Sequence, residues 1–286
     1  MENVNWDQLF YYEDLVAYAK YLTYHYSTLI QYESIGRSLD GRDIFMLKVG
    51  KGEHNIVLTG GVHGRESVNP MVMLCMAEYY CEEFCDFLEQ MTIYMIPVLN
   101  PDGYCVAIQG FDSIKSDKYR TAMKLKGIPY YLWKYNVRGV DINRNFPCLS
   151  WKKKHLHDTA GSEPETCALM QLFQSISSIG YIDYHSRGKQ IYYYRKNMSE
   201  EYNQEQYRLA CLLSTLTNYM LMPEQKEIET NDSGGNTVHY YSEEFCLPAI
   251  TIETVDELAY FPLSPHFQKE TFEEIKLTPF VFCKDK

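Results

Sequence analysis

The run Asn55-Ile-Val-Leu-Thr59, followed directly by Gly60-Gly-Val-His-Gly-Arg-Glu-Ser-Val-Asn-Pro70, decides the reading of this chain. Its first part is a short apolar stretch with β-branched residues and predicts a buried strand. Its second part turns away through glycines and sets His63 and Glu66 three residues apart. An imidazole and a carboxylate at that spacing reach one divalent cation if the backbone turns between them, and Gly64 permits the turn. A helix is expected over residues 67–89, with Pro70 tolerated in its first turn.

Outward from that run, strand and helix patterns alternate. A helix is expected over 11–27, and two short strands over 34–49 around the turn signal Asp40-Gly41. Residues 92–98 read as a buried strand ended by a turn at Asn100-Pro-Asp-Gly103. Residues 105–160 read as irregular, with a short helix near 115–126. Then come a helix over 163–178, a strand over 179–184 ending at His185, a strand over 190–195 and a long helix over 199–222. Gly234-Gly235 opens a loop into a short helix, residues 248–253 form a last buried strand, and 265–280 a closing helix. This alternation implies the α/β class, with a mixed, mostly parallel central sheet and helices on both faces. In such sheets ligands gather beyond the carboxyl ends of the strands, where His63, Asn100, His185 and Glu253 are all expected.

With 286 residues and 45% hydrophobic content the chain can build a full core. No repeat or linker-like stretch divides it, so a single domain over 1–286 is expected. The formal net charge of −11 disfavours nucleic acid and anionic membrane as partners. No apolar run is long enough to span a bilayer, and the first residues carry no basic or apolar leader pattern. The nine cysteines are scattered, with no Cys-x-x-Cys pair, which argues against a thiolate metal site and for free thiols in a reducing cytoplasm. Cys81 and Cys85 read as packing on one helix. The 26 tyrosines read as aromatic packing with hydrated hydroxyls.

Three more segments carry chemistry: Asp141-Ile-Asn-Arg-Asn-Phe-Pro147, Asp183-Tyr-His-Ser186 and Thr251-Ile-Glu253. The His-x-x-Glu pair alone is a weak signal; His155-x-x-Asp158 has nearly the same form, yet it sits in the basic run Lys152-Lys-Lys-His-Leu-His157 and reads as solvated surface. A catalytic zinc takes three protein ligands and leaves a position open, and His185, at a strand end beside a glycine-containing turn, is the third candidate after His63 and Glu66. His25, His54, His239 and His266 lack that context. Amide hydrolysis also needs a base for the attacking water, and Glu253 ends the otherwise uncharged run Leu247-Pro-Ala-Ile-Thr-Ile252, where desolvation would raise its pKa. Asn143 and Arg144 suit a terminal carboxylate, Arg144 bidentately, although an ion pair of Arg144 with Asp141 would serve structure alone.

In order along the chain, Gly60-Gly-Val-His-Gly-Arg-Glu66, Asn100-Pro-Asp-Gly-Tyr104, Gly139-Val-Asp-Ile-Asn-Arg-Asn-Phe-Pro147, His185-Ser186 and Thr251-Ile-Glu253 resemble the zinc carboxypeptidase A-like family from about residue 30 to 280. The resemblance implies one α/β domain with a mixed eight-stranded sheet. It implies one Zn²⁺ per chain on His63, Glu66 and His185, a catalytic glutamate at Glu253, and carboxylate binding by Asn143 and Arg144. Where the family has an arginine that polarises the scissile carbonyl, this chain has Lys134, with Arg138 as a second candidate. A lysine supplies charge without the planar fork. The mobile tyrosine of the digestive members has no clear counterpart in Asn231 to Tyr241.

Both departures, with the pattern from Trp133 to Asp141 and from His185 to Tyr192, look like the bacterial murein-peptide branch. That implies cleavage of the γ-D-glutamyl–diamino acid bond in a small peptide ending in a carboxylate, with cytoplasmic recycling expected. Within the same scaffold, a conventional carboxypeptidase on ordinary peptides is the alternative. An aspartoacylase-like N-acyl amino acid deacylase and a catalytically dead binding module are further readings. A serine hydrolase or a Cys–His protease is disfavoured, because Ser186 has no nucleophile-elbow glycine pattern.

Overall fold

A computed structural model describes residues 4–154, 156–229 and 234–284. Its centre is one eight-stranded sheet in the order β1-β2-β4-β3-β5-β8-β6-β7. The strands are β1 Ile30–Arg37, β2 Asp43–Gly50, β3 His54–Thr59, β4 Met91–Ile96, β5 Ser178–Ser186, β6 Gln190–Tyr192, β7 Met220–Leu221 and β8 Ala249–Thr254. Four pairings, β3 with β4, β3 with β5, β5 with β8 and β6 with β7, are parallel. The hairpin β1–β2, its junction with β4, and β6 against β8 are antiparallel.

The helices are α1 Tyr12–His25, α2 Asn69–Glu83, α3 Cys85–Gln90, α4 Pro101–Gln109, α5 Asp117–Lys124, α6 Pro164–Ser175, α7 Glu200–Thr217, α8 Glu224–Glu229, α9 Thr237–Phe245, α10 Phe267–Ile275 and α11 Thr278–Cys283. Successive strand residues point to opposite faces. Phe45, Leu47, Ile56 and Leu58 therefore pack under α1, α2, α7 and α10. Ile44, Met46, Val57 and Tyr181 face α6 and α9 through Leu169, Phe173, Val238 and Tyr241. Shortening a fully buried residue such as Leu58 to alanine would cost about 2–5 kcal/mol.

The tyrosines behave as packing residues with satisfied hydroxyls. Tyr80, Tyr104 and Tyr184 are buried and bond to Lys276 O, Phe10 O and Thr278 Oγ1. Among the described residues no helix is long and apolar enough to cross a membrane.

Four local expectations need correction. The single helix over 67–89 is two, because the chain kinks at Phe84 (φ −131°) between α2 and α3. Cys81 thus lies on α2 and Cys85 on α3, where Cys85 Sγ donates to Cys81 O. Asn100-Pro-Asp-Gly103 is no free turn but the start of α4: Asn100 caps the helix by accepting from Gly103 N, and Pro101 takes the first helical position. The helix over 199–222 ends at Thr217, where Asn218 is left-handed, and Met220–Leu221 leaves to pair with β6. The closing helix is likewise split, into α10 and α11.

Candidate active site

The sheet order sets the site. After β3 the chain moves to β4 on one side, while β5 lies on the other, so a crevice opens beyond the carboxyl ends of β3 and β5. His63 lies on the loop leaving β3. His185 is near the end of β5, and Glu253 is its direct register partner on β8. Three adjacent strand ends therefore present two imidazoles and a carboxylate, and Glu66 joins them from the turn after His63.

The loop is held by main-chain contacts. Leu99 N and Asn100 N donate to Gly60 O and Gly61 O, and Asn100 Nδ2 donates to Val62 O. Gly61, at φ 57°, takes the left-handed conformation expected of Gly64. Gly64 serves another purpose: a Cβ there would sit 2.2 Å from Gly103 O, so only glycine lets the loop lie against α4.

Glu66 Oε1 is 2.6 Å from His63 Nδ1, and Oε2 is 3.0 Å from His185 Nδ1. One donor atom from each of the three residues lies within 4.8 Å of the other two, the one such group of His, Cys, Asp or Glu among the described residues. Two imidazole nitrogens and one carboxylate are a donor set that suits a catalytic zinc with an open position.

The other ring nitrogens face acids to which the motifs gave no part in the cluster. His185 Nε2 is 2.9 Å from Asp183 Oδ2, and His63 Nε2 is 3.4 Å from Asp141 Oδ1. Asp183 also accepts from Thr59 Oγ1 at 2.6 Å and from Thr237 Oγ1. A carboxylate behind an imidazole fixes the ring's tautomer and orientation and makes it a better ligand. A signal for Asp183 was present, since residues two apart on a strand share a face and Asp183 precedes His185 by two.

Electrostatics follow from these contacts. Burial opposes protonation of His185, but Asp183 and Glu66 outweigh it and raise its pKa well above the usual histidine value. His63 is raised in the same way by Glu66 and Asp141 against burial. Burial would raise Glu66, yet the two imidazoles bring it down to about 2. Glu253 goes the other way: desolvation, helped by Glu66 and opposed by His185, pushes it up to about 7. Its Oε2 is buried and has no hydrogen-bond partner.

Asn143 and Arg144 border this cluster. Asn143 Nδ2 is 3.4 Å from His185 Nε2, its Oδ1 accepts from Thr237 N, and Arg144 Nη1 donates to Asn143 O. Lys134 Nζ bonds Asp141 Oδ2 at 2.5 Å and is thereby linked to His63. Arg138 instead pairs with buried Glu163 at 2.6 Å. Lys134 thus reaches the cluster through Asp141, whereas Arg138 is held by Glu163.

Other expectations can be placed as well. Ser186 Oγ bonds Thr254 Oγ1 and Asn69 Nδ2, with no ring nitrogen to activate it. Tyr240 and Tyr241 lie on α9 and are buried. His25, His54, His157 and His266 are exposed and His239 is buried, while His155 and Asn231 to Ser233 lie outside the described residues.

A family model described as zinc carboxypeptidase matches residues 15–275. The chain belongs to the zinc carboxypeptidase family. Zinc is the metal of this family, and the cluster of His63, Glu66 and His185 fits it. Among relatives of this zinc carboxypeptidase family member, a Bacillus subtilis protein, YqgT, is 27% identical over 193 residues, covering 58% of this chain and 51% of its own. Human carboxypeptidase Z is 28% identical over 176 residues, covering 50% of this chain and 24% of its own. The chain thus spans between about a quarter and about half of the length of these two relatives. Bovine thrombin-activatable fibrinolysis inhibitor, solved with tick carboxypeptidase inhibitor, superposes with TM-score 0.80 at 19% identity, covering 98% and 97% of the two chains. The murein-tripeptide amidase of Escherichia coli O157 superposes with TM-score 0.53 at 19% identity, covering 90% and 96%. Both likenesses show the fold.

Proposed function

We propose that residues 1–286 act as a single catalytic domain, a zinc-dependent peptidase that hydrolyses an amide bond next to a free C-terminal carboxylate. The observation that carries this reading is the register of Glu253 beside His185, which sets a desolvated carboxyl next to a two-imidazole, one-carboxylate donor set. In this reading His63, Glu66 and His185 hold the ion, with Asp141 and Asp183 orienting the imidazoles. Bound zinc supplies Lewis acidity to the scissile carbonyl and to the attacking water. Glu253 takes a proton from that water and returns it to the leaving amine, a role suited to a carboxyl titrating near neutrality. Arg144 and Asn143 bind the substrate's terminal carboxylate. Lys134 faces the developing oxyanion, its charge already partly matched by Asp141.

We infer that the substrate is a murein stem peptide cleaved at its γ-D-glutamyl–diamino acid bond. The pattern Trp133-Lys-Tyr-Asn-Val-Arg-Gly-Val-Asp141 and the likeness in fold to a murein-tripeptide amidase support this. Removal of C-terminal residues from ordinary peptides is the second reading, favoured by relatives that carry the name carboxypeptidase. Hydrolysis of L-Ala-γ-D-Glu-diaminopimelate, compared with a panel of L-peptides, separates them. Faster cleavage of the murein peptide is expected, and faster cleavage of the L-peptides would overturn that choice. Failure to cleave any peptide with zinc supplied would remove the peptidase reading itself.

A further inference from the structure

The loop that carries Lys134 and Asp141 is folded around one side chain. Asn136 is fully buried, and its Oδ1 accepts from Arg138 N and Val140 N, both at 3.0 Å. Its own N–H donates to Val140 O, and its carbonyl accepts from Gly139 N. Residues 136–140 are thereby closed into a compact turn. The amide nitrogen Nδ2 is not used inside the turn; it donates to Glu163 Oε2 at 2.6 Å. At its two ends the loop meets the metal cluster. Lys134 O accepts from Gly64 N, Lys134 Nζ bonds Asp141 Oδ2, and Asp141 Oδ1 lies 3.4 Å from His63 Nε2.

Glu163 is an unusual residue for its place. It stands just before α6, with Pro164 at the first helical position, where a short oxygen-bearing side chain would cap the helix. Its side chain makes no capping bond. The buried carboxylate crosses to the loop instead: Oε2 takes Asn136 Nδ2, while Oε1 takes Arg138 Nη2 and Ser162 Oγ, each at 2.6 Å. An ionised acceptor with three donors makes stronger bonds than a neutral one would. The main chain of the same residue serves the other side of the crevice. Glu163 N donates to the side chain of Asn145, the neighbour of Arg144.

We propose that Asn136 and Glu163 are a positioning pair, which fixes the 134–141 loop and through it sets the ammonium of Lys134 at the edge of the metal cluster. The effect on rate rests on the peptidase reading above; the effect on the loop does not. The contact has a direction, because an amide donates and a carboxylate accepts. Glu163→Gln sets two amide donors against each other, or turns the new donor onto Arg138 and Ser162. Asn136→Asp sets two carboxylates against each other in a buried place. The two changes together restore a donor facing an acceptor, with the direction reversed and the total charge kept. The new aspartate still offers an oxygen to Arg138 N and Val140 N, and the new glutamine still offers one to Arg138 Nη2 and Ser162 Oγ.

Hydrogen–deuterium exchange over residues 133–141 and steady-state hydrolysis are compared in the unaltered protein, the two single variants and the double variant, all loaded with zinc. Either single change is expected to speed exchange in that segment by about tenfold, as the loop opens more often. It is expected to lower kcat by about 10–100-fold, the scale of a misplacement of about 1 Å. KM should stay within about twofold, because the turn that carries Asn143 and Arg144 is held by the Glu163 main chain, which no substitution touches. The double variant is expected to return exchange and kcat to within about threefold of the unaltered protein. In a Lys134→Ala background, Glu163→Gln should lower kcat by less than about twofold more, since the group it positions is already gone. Zinc content by atomic absorption should remain one per chain throughout. Single variants with unaltered exchange and kcat, a double variant no better than the singles, or a full further loss in the Lys134→Ala background would each overturn the proposal. Absence of hydrolysis by the unaltered protein would remove the peptidase reading, and the exchange measurement would then decide the tether on its own.

Discussion

Two groups of buried acids in this molecule differ in how their charge is answered. At the strand ends, Glu66, Asp141 and Asp183 each touch an imidazole, and all three are held below the usual carboxyl range despite burial. Away from them, Glu163 and Glu165 lie by Asn136, with Asp102 close enough to act on Glu165. Asp102 is matched by Arg42 and Glu163 by Arg138, but neither oxygen of buried Glu165 has a partner. Burial, with Asp102 and Glu163 nearby, pushes Glu165 up to about 8. Glu253 is raised as well, to about 7. A raised carboxyl alone therefore does not mark a catalytic base. Glu253 stands in register beside an imidazole of the candidate metal cluster, whereas the groups that shift Glu165 include Asp102, Glu163 and Asn136 and no imidazole.

That contrast can be broken by substitution. The largest effect is expected from Glu66→Ala or His63→Ala: zinc measured by atomic absorption should fall from one per chain to near none, with hydrolysis lost. Next, Glu253→Gln should lower turnover by about 10²–10⁴-fold, the usual contribution of a general base, with zinc content unchanged. Loss of zinc in that variant would make Glu253 a ligand instead. Asp183→Asn should weaken zinc binding by about 10–100-fold in competition with a chelator, as expected when the acid behind a ligating imidazole is lost. An unchanged affinity would reduce Asp183 to a packing role.

The smallest effect concerns the other acid group and stability alone. Glu165 keeps its proton in the fold up to about pH 8, while the unfolded chain loses it near 4.5. The unfolded state thus gains an advantage that grows as pH rises through that window and is constant above it, on the order of a few kcal/mol in full. Glu165→Gln should match the unaltered protein in thermal stability at pH 5 and exceed it at pH 8. Equal stability at both would show that Glu165 ionises freely in the fold.

The residues that meet in the candidate metal cluster could be picked out because each follows or ends an apolar strand pattern, and because parallel strands carry their chemistry at one end. Their pairing could not. Nothing in the spacing of His185 and Glu253 states that β5 and β8 are neighbours, and that adjacency makes the two act on one another. The Asn-Pro-Asp-Gly segment misled for a related reason. Its residues favour a turn locally, yet Asp102 is fixed by Arg42 and Ser38, and Gly103 is needed where the backbone of the His63 loop comes closest. Glu165 was invisible because burial of one helix face depends on what packs across it, here the start of α6 against β1.

The contact between Gly64 and Gly103 has a further bearing on how the metal donors are aligned. The first donor loop rests main chain on main chain against α4 and is tied there by Leu99 N, Asn100 N and Lys134 O, so its place is fixed by its neighbours. The spacing of the donors is set by the strand ends and by this main-chain contact, so the fold itself aligns them toward one point. A methyl group added at either position would clash with the neighbouring main chain or the Asn100 cap and push the donor loop out of line.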